Sequence, residues 1–129
     1  MGQKKIILVD TDIFIKGFRG NAIHKKHLDY LEGRIAISII TALELYQGVN
    51  SKKRKYELEK QLKAYQILLL TDQISLEAMS LMKKYVPENI LLPPDGLIAA
   101  TALGHQLELY TDNKKDFDFI KGLKFYAPV

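Results

Sequence analysis

The chain has 129 residues, 47% apolar and 26% charged, the make-up of an ordinary globule long enough to bury a core without covalent staples. It contains no cysteine, which excludes disulfides, thiolate metal sites and cysteine nucleophiles. The net charge of +4 and isoelectric point near 9.2 lean basic, which makes a phosphate-steering surface the functional alternative to plain solvated helix faces.

No apolar run approaches the ~20 residues needed to cross a bilayer. Met1-Gly2-Gln3-Lys4-Lys5 is followed by only four apolar residues, too few for a signal-peptide core. Ile6 stands where a myristoylation motif would need Ser or Thr. The expectation is a cytoplasmic protein without a membrane partner, forming one domain over residues 1–129.

The first apolar run, Ile6-Ile7-Leu8-Val9, is continuous and rich in β-branched residues, as in a strand buried on both faces. Thr11 or Asp12 can cap a short helix ending at Phe18. Asn21 caps another to about Glu32, with Gly33 as a left-handed stop. Residues 34–39 form the second strand. Thr41 starts a helix to about Val49, and Ser51 caps a charged helix to about Tyr65. Leu58, Leu62 and Tyr65 share one stripe of it. Those two helices are expected to make a hairpin standing off the sheet. Residues 67–70 read as a third buried strand. Thr71 or Asp72 then caps a helix whose Ile74, Ala78, Leu81, Met82 and Tyr85 recur at helical spacing, as core residues do. Val86-Pro87 ends that helix. Residues 95–104 are the next helix, 107–111 a fourth strand, 116–120 a helical turn and 124–127 an edge strand.

Strands alternating with helices predict an α/β fold: about five parallel strands, helices on both faces, right-handed crossovers. In such sheets sites form outside the carboxyl ends of the strands. Four acids stand at the relevant junctions. Asp10 closes the first strand, Glu44 follows the second, Asp95 opens a helix after Pro93-Pro94, and Asp112 closes the fourth. Each has a local alternative. Asp10 can cap the next helix, and Asp12 is a natural cap. Thr41-Ala42-Leu43-Glu44 matches a capping box. Asp95 suits a helix N-terminus. Asp112 and Asp116 can be turn and cap residues. One shared site explains all four junctions better than four coincidences. Gathered carboxylates repel, which a divalent cation relieves. Oxygen-only ligands suit Mg²⁺ or Mn²⁺, which can activate water and stabilise displacement at phosphorus. His24 and His27 have a spacing that zinc could use, but without cysteine or a neighbouring acid pattern they read as helix residues.

With these residues in view, the chain resembles the PIN-domain nucleases, and among them the VapC-type toxins of toxin–antitoxin pairs. The likeness runs nearly the whole length. Leu8-Val9-Asp10-Thr11-Asp12-Ile13-Phe14-Ile15 is similar to the family's opening motif. Ser38-Ile39-Ile40-Thr41-Ala42-Leu43-Glu44-Leu45-Tyr46-Gln47-Gly48 resembles the second, Asp95-Gly96-Leu97-Ile98-Ala99-Ala100-Thr101-Ala102 the third, and Thr111-Asp112-Asn113-Lys114-Lys115-Asp116-Phe117 the last. Asp12 stands where Asn is commoner and Gly96 where Ala is usual.

The resemblance implies a PIN-like fold and a Mg²⁺- or Mn²⁺-dependent endoribonuclease, often a homodimer and held inactive by a cognate antitoxin. It implies that Asp10, Glu44, Asp95 and Asp112 hold metal and carry catalysis, with Glu44 orienting water or sharing in ligation. Thr11, Asp12, Thr111 and Asp116 support them, Asp116 being the other candidate for the fourth acid. Lys114 and Lys115 meet the RNA backbone. Residues 46–65, in the hairpin, are where dimer or antitoxin contacts are expected, through its apolar stripe. Two rivals stand beside this reading. One is a PIN-like scaffold that binds RNA without cutting it. The other is a phospho-acceptor receiver domain with Asp10 and Asp12 as its acid pair and Asp72 as acceptor.

Overall fold

A computed structural model describes residues 4–129, so the N-terminal stretch weighed above against a leader or lipid motif lies partly outside it. In chain order the elements are β1 (Ile7–Val9), α1 (Thr11–Phe18), α2 (Ala22–Tyr30), β2 (Ile35–Ser38), α3 (Ile39–Gln47), α4 (Lys52–Leu62), β3 (Gln66–Leu68), α5 (Asp72–Tyr85), α6 (Pro93–His105) and β4 (Glu108–Tyr110). A 3₁₀ turn follows at Lys114–Asp116. Among the described residues no helix is long and apolar enough to cross a membrane.

The sheet is parallel throughout, in the order β3-β2-β1-β4. Side chains alternate across it and build two cores. Leu8, Ala36 and Leu109 face α5 and α6, packing with Ala78, Leu81, Ile98 and Ala99. Ile7, Val9, Ile35 and Ile37 face the other way, toward Ile13, Phe14, Leu45 and Leu58. Both faces of β1 are therefore buried, as its unbroken apolar run requires. The chain runs outward from β1 through β2 to β3, then returns to place β4 on the opposite side of β1. That reversal opens a crevice at the carboxyl ends of β1 and β4.

Among the described residues four strands form rather than five. The segment expected as an edge strand at 124–127 makes one bridge, Leu109 to Phe125. Leu109 exchanges both its bonds there, with Lys124 O and Tyr126 N at 2.9 Å each. Pro128 follows and has no N–H to extend the ladder. The third strand also differs. Gln66 and Ile67 are exposed, because β3 is an edge with no neighbour among the described residues beyond it.

The hairpin corrects a further expectation. Leu58 and Leu62 are buried within the second core, and Tyr65 lies with its ring 5.2 Å from that of Phe14. The apolar stripe of α4 is thus turned inward rather than left free for assembly. What the hairpin shows to solvent is Leu43, Tyr46 and Tyr56.

Helix starts explain two more differences. Asp10, not Thr11 or Asp12, is the cap of α1, its side chain accepting from Thr11 N. Ser38 caps α3 by accepting from Ile40 N at 3.1 Å. The helix begins two residues before Thr41, so the Thr41/Glu44 capping box is not formed. Glu44 is released from the backbone.

Candidate active site

Asp10, Glu44 and Asp112 are carried past the ends of β1, β2 and β4, and Asp95 sits in the first turn of α6 behind Pro93 and Pro94. Prolines suit these first positions, where no intrahelical N–H is needed. The parallel register sets these strand ends side by side: Leu8 pairs with Ala36 and with Leu109.

Each acid has a defined holder. Asp10 is buried and accepts from Thr11 N and from Thr111 Oγ1, both at 2.8 Å. Glu44 accepts from Thr11 Oγ1 at 2.7 Å, and Thr11 also reaches Thr41 Oγ1 at 3.0 Å. Asp12 Oδ2 accepts from Asn113 Nδ2 at 2.7 Å. Its Oδ1 is buried without a hydrogen-bond partner among the described residues. Asp112 Oδ2 receives Lys16 Nζ at 2.6 Å and His24 Nε2 at 2.5 Å. Asp116 is half-buried in the 3₁₀ turn, while Lys114 and Lys115 are exposed there. The Lys114 ammonium lies 5.8 Å from the centre of the Phe125 ring.

These acids feel one another. Burial first, then the charge of Asp12, pushes the Asp10 carboxyl up to about 7, against the pull of its bonds from Thr111 and Thr11. Asp95 is pushed up to about 6 by burial and then by Asp116, Glu44 and Asp12. Burial and the charge of Asp112 raise Asp12. Asp112 goes the other way: burial would raise it, yet Lys16 and His24 together hold it below the ordinary carboxylate range. Perturbation by burial and like charge in a cleft is the pattern of a functional site.

Among the described residues, no three carboxylate or imidazole groups converge tightly enough to enclose an ion as they stand. Protein donors occupy the oxygens instead: Thr11 and Thr111 on Asp10, Thr11 on Glu44, and Lys16 and His24 on Asp112. The donor chemistry fits a hard divalent cation. It is made of carboxylate oxygens, one of them buried and unpartnered, whose charges raise each other's proton affinity.

Three neighbours of the acids were not picked out from sequence. Lys16 stands four residues after Asp12 on α1, a spacing that puts both on one helix face. Asn113 holds Asp12. His24, read as an ordinary helix residue, reaches the fourth acid across 88 positions, and no local pattern signals that.

The fold and the acidic crevice define a class. A family model described as PIN domain matches residues 7–122. Ribonuclease VapC1 of Methanocaldococcus jannaschii is 33% identical over 127 residues, covering 96% of this chain and 89% of that protein. Ribonuclease VapC10 of Mycobacterium tuberculosis is 32% identical over 122 residues, covering 92% and 91%. A toxin–antitoxin complex from Klebsiella pneumoniae contains a chain with a TM-score of 0.80 and 32% identity, covering 95% of this chain and 99% of that one. The chain belongs to the PIN-domain family and, within it, groups with the VapC proteins.

Proposed function

We propose that this chain is an endoribonuclease that hydrolyses RNA phosphodiester bonds with a divalent cation, and that it is the toxin of a toxin–antitoxin pair. The observation that carries the reading is that Thr11 and Thr111 tie Asp10 and Glu44 together at adjoining strand ends. Asp12 is held beside them by Asn113, and Asp95, Asp112 and Asp116 are near enough to act on these carboxyls. The VapC relatives, named as ribonucleases, support the reaction class. Asp10, Asp95 and Asp112 would hold Mg²⁺ or Mn²⁺, with Glu44 sharing in it. A bound cation supplies counter-charge and Lewis acidity to the scissile phosphate and acidifies water.

The chain's own residues do the rest. Thr11 fixes Glu44 Oε1, leaving Oε2 to orient the attacking water and take its proton as oxygen bonds to phosphorus. The opposite P–O bond breaks, and its oxygen takes up a proton from solvent. Thr111 and Thr11 hold Asp10 in place. Lys114 and Lys115, exposed just beyond Asp112, meet backbone phosphates and offset the acids' repulsion of the polyanion.

A receiver domain does not suit this fold. Asp72, the acceptor it requires, opens α5 after the edge strand β3. In the sheet, β2 separates that strand from β1.

An antitoxin partner is supported by the toxin–antitoxin complex among the structural relatives. A groove of about 470 Å³ between α1, α3 and α4, lined by Ile15, Phe18, Leu45 and Val49 and also by Arg19, Arg54 and Glu57 beside Glu44, suits an amphipathic antitoxin segment ending at the acids. A homodimer, through the outward Leu43, Tyr46 and Tyr56, belongs to the same reading.

The test is cleavage of RNA by the full chain with Mn²⁺ and with chelator. Metal-dependent fragments that vanish in Asp10→Asn, with the melting transition kept, are expected. RNA binding without cleavage in either condition would establish the non-cutting scaffold instead.

A further inference from the structure

The two histidines of α2 share one helix face, three positions apart, and both reach the end of β4. His24 Nε2 meets Asp112 Oδ2 at 2.5 Å. His27 Nδ1 and the Tyr110 hydroxyl share a hydrogen bond at 2.6 Å, their rings meeting edge-on with centres 5.8 Å apart. A carboxylate only accepts, so the His24 hydrogen is on Nε2. The helix that carries them buries none of its residues fully and has Asn21 as its cap. Leu28 and the C-cap Leu31 tie its C-terminal end to the second core, and the histidines add polar bonds toward β4. The two imidazole bonds pin α2 to the residues on either side of Thr111, whose hydroxyl holds Asp10.

We propose that His24 is a positioning residue for Asp112: α2 acts as a brace that aims the fourth acid at the cation site, with His27 on Tyr110 keeping the brace in register. Both donors to Asp112, Lys16 and His24, fall on the same oxygen, Oδ2, so the other oxygen stays outside this pair of bonds. Lys16 is on a long exposed stem and can leave. His24 is the more enclosed of the two, its side chain only 14% exposed, and its ring has two torsions to fix. A hydrogen bond to the far oxygen of a ligating carboxylate orients it, and losing such a partner typically weakens metal binding 10–100-fold.

This inference rests on the metal-dependent reading, and the experiment separates the two. Mn²⁺ binding to the full chain is measured by calorimetry without RNA, beside the melting temperature. His24→Ala is expected to weaken Mn²⁺ at least tenfold while keeping helix content. His24→Gln, whose side-chain amide can donate from nearly the same place, is expected to stay within a few-fold of the parent. Should His24→Ala lose α2, the Gln variant decides against Asp112→Asn, which it must exceed. Equal Mn²⁺ affinity in parent and His24→Ala overturns the positioning role alone, as does a Gln variant no better than Ala. No Mn²⁺ binding by the parent overturns the metal reading and this inference with it.

Discussion

Thr11 donates its hydroxyl to Glu44 across 2.7 Å, joining the first turn of α1 to α3. The same residue gives its backbone N–H to Asp10, so one threonine holds two acids from different strand ends. Thr11→Val keeps the shape and removes the hydroxyl. It should lower RNA cleavage about 10- to 100-fold and stability by about 1–3 kcal/mol, since the bond to a charged group is lost. Cleavage rates and urea unfolding measure both; unchanged cleavage would mean that Glu44 does not depend on this contact.

The raised carboxyls make the metal-free chain sensitive to pH, in a direction that can be stated. Asp10 rises from 3.8 to about 7 on folding and Asp95 to about 6. A group that binds its proton more tightly when folded stabilises the fold below its unfolded value and loses that contribution as pH climbs through the folded one. Melting temperature without cation should therefore fall between pH 4 and about 7. Mn²⁺ at pH 8 should restore it, because it binds the folded state. A melting temperature flat across that range, with no response to Mn²⁺, would contradict the cluster.

Asp10→Asn separates stability from activity. An amide removes the buried charge, while its oxygen can accept from Thr11 N and its N–H₂ can donate to Thr111. At pH 8 without cation the variant should melt higher than the parent, yet cut no RNA. A lower melting temperature would show that the carboxylate's hydrogen bonds outweigh its repulsion.

Lys16 sets a positive charge 2.6 Å from Asp112 Oδ2, where it repels an incoming cation. Lys16→Met should tighten Mn²⁺ binding several-fold in low salt. Calorimetry checks it; weaker binding would make Lys16 a support of Asp112, as His24 is, rather than a repelling charge.

The two sides of the hairpin should answer to different assays. Leu58→Ala, in the core, is expected to cost about 2–5 kcal/mol in urea unfolding. Tyr46→Ser with Tyr56→Ser, on exposed positions, should leave unfolding nearly unchanged and alter mass by light scattering or antitoxin binding.

Much of the fold follows from local chemistry that can be read along the chain. β1 announces itself because four apolar residues in a row have few homes other than a covered strand, and Asp10 ends them. Asn21 and Ser51 cap the helices expected of them. Glu44 is harder, since Thr41 and Glu44 make a plausible capping box. The competition is settled by Ser38, which starts the helix early. The same limit hides the fate of 124–127, where the strand pattern is sound but the ladder has no room to grow past Pro128. It hides the hairpin too, because a stripe of Leu58 and Leu62 reads the same whether it meets a core or a partner. His24 is the extreme case. Its role depends on which strand end α2 lies over, a tertiary fact with no trace in its neighbours.

Ser38 ends β2 and caps α3 at once, so strand and helix abut with no loop between them. The rotational phase of α3 is thereby geared to the hydrogen-bond ladder of the sheet. One inserted residue at this seam would turn Glu44 by about 100° around the helix axis, swinging it out of the crevice without altering a single chemical group. If Glu44 acts as proposed, length at this junction is as strict a requirement as the identity of any acid.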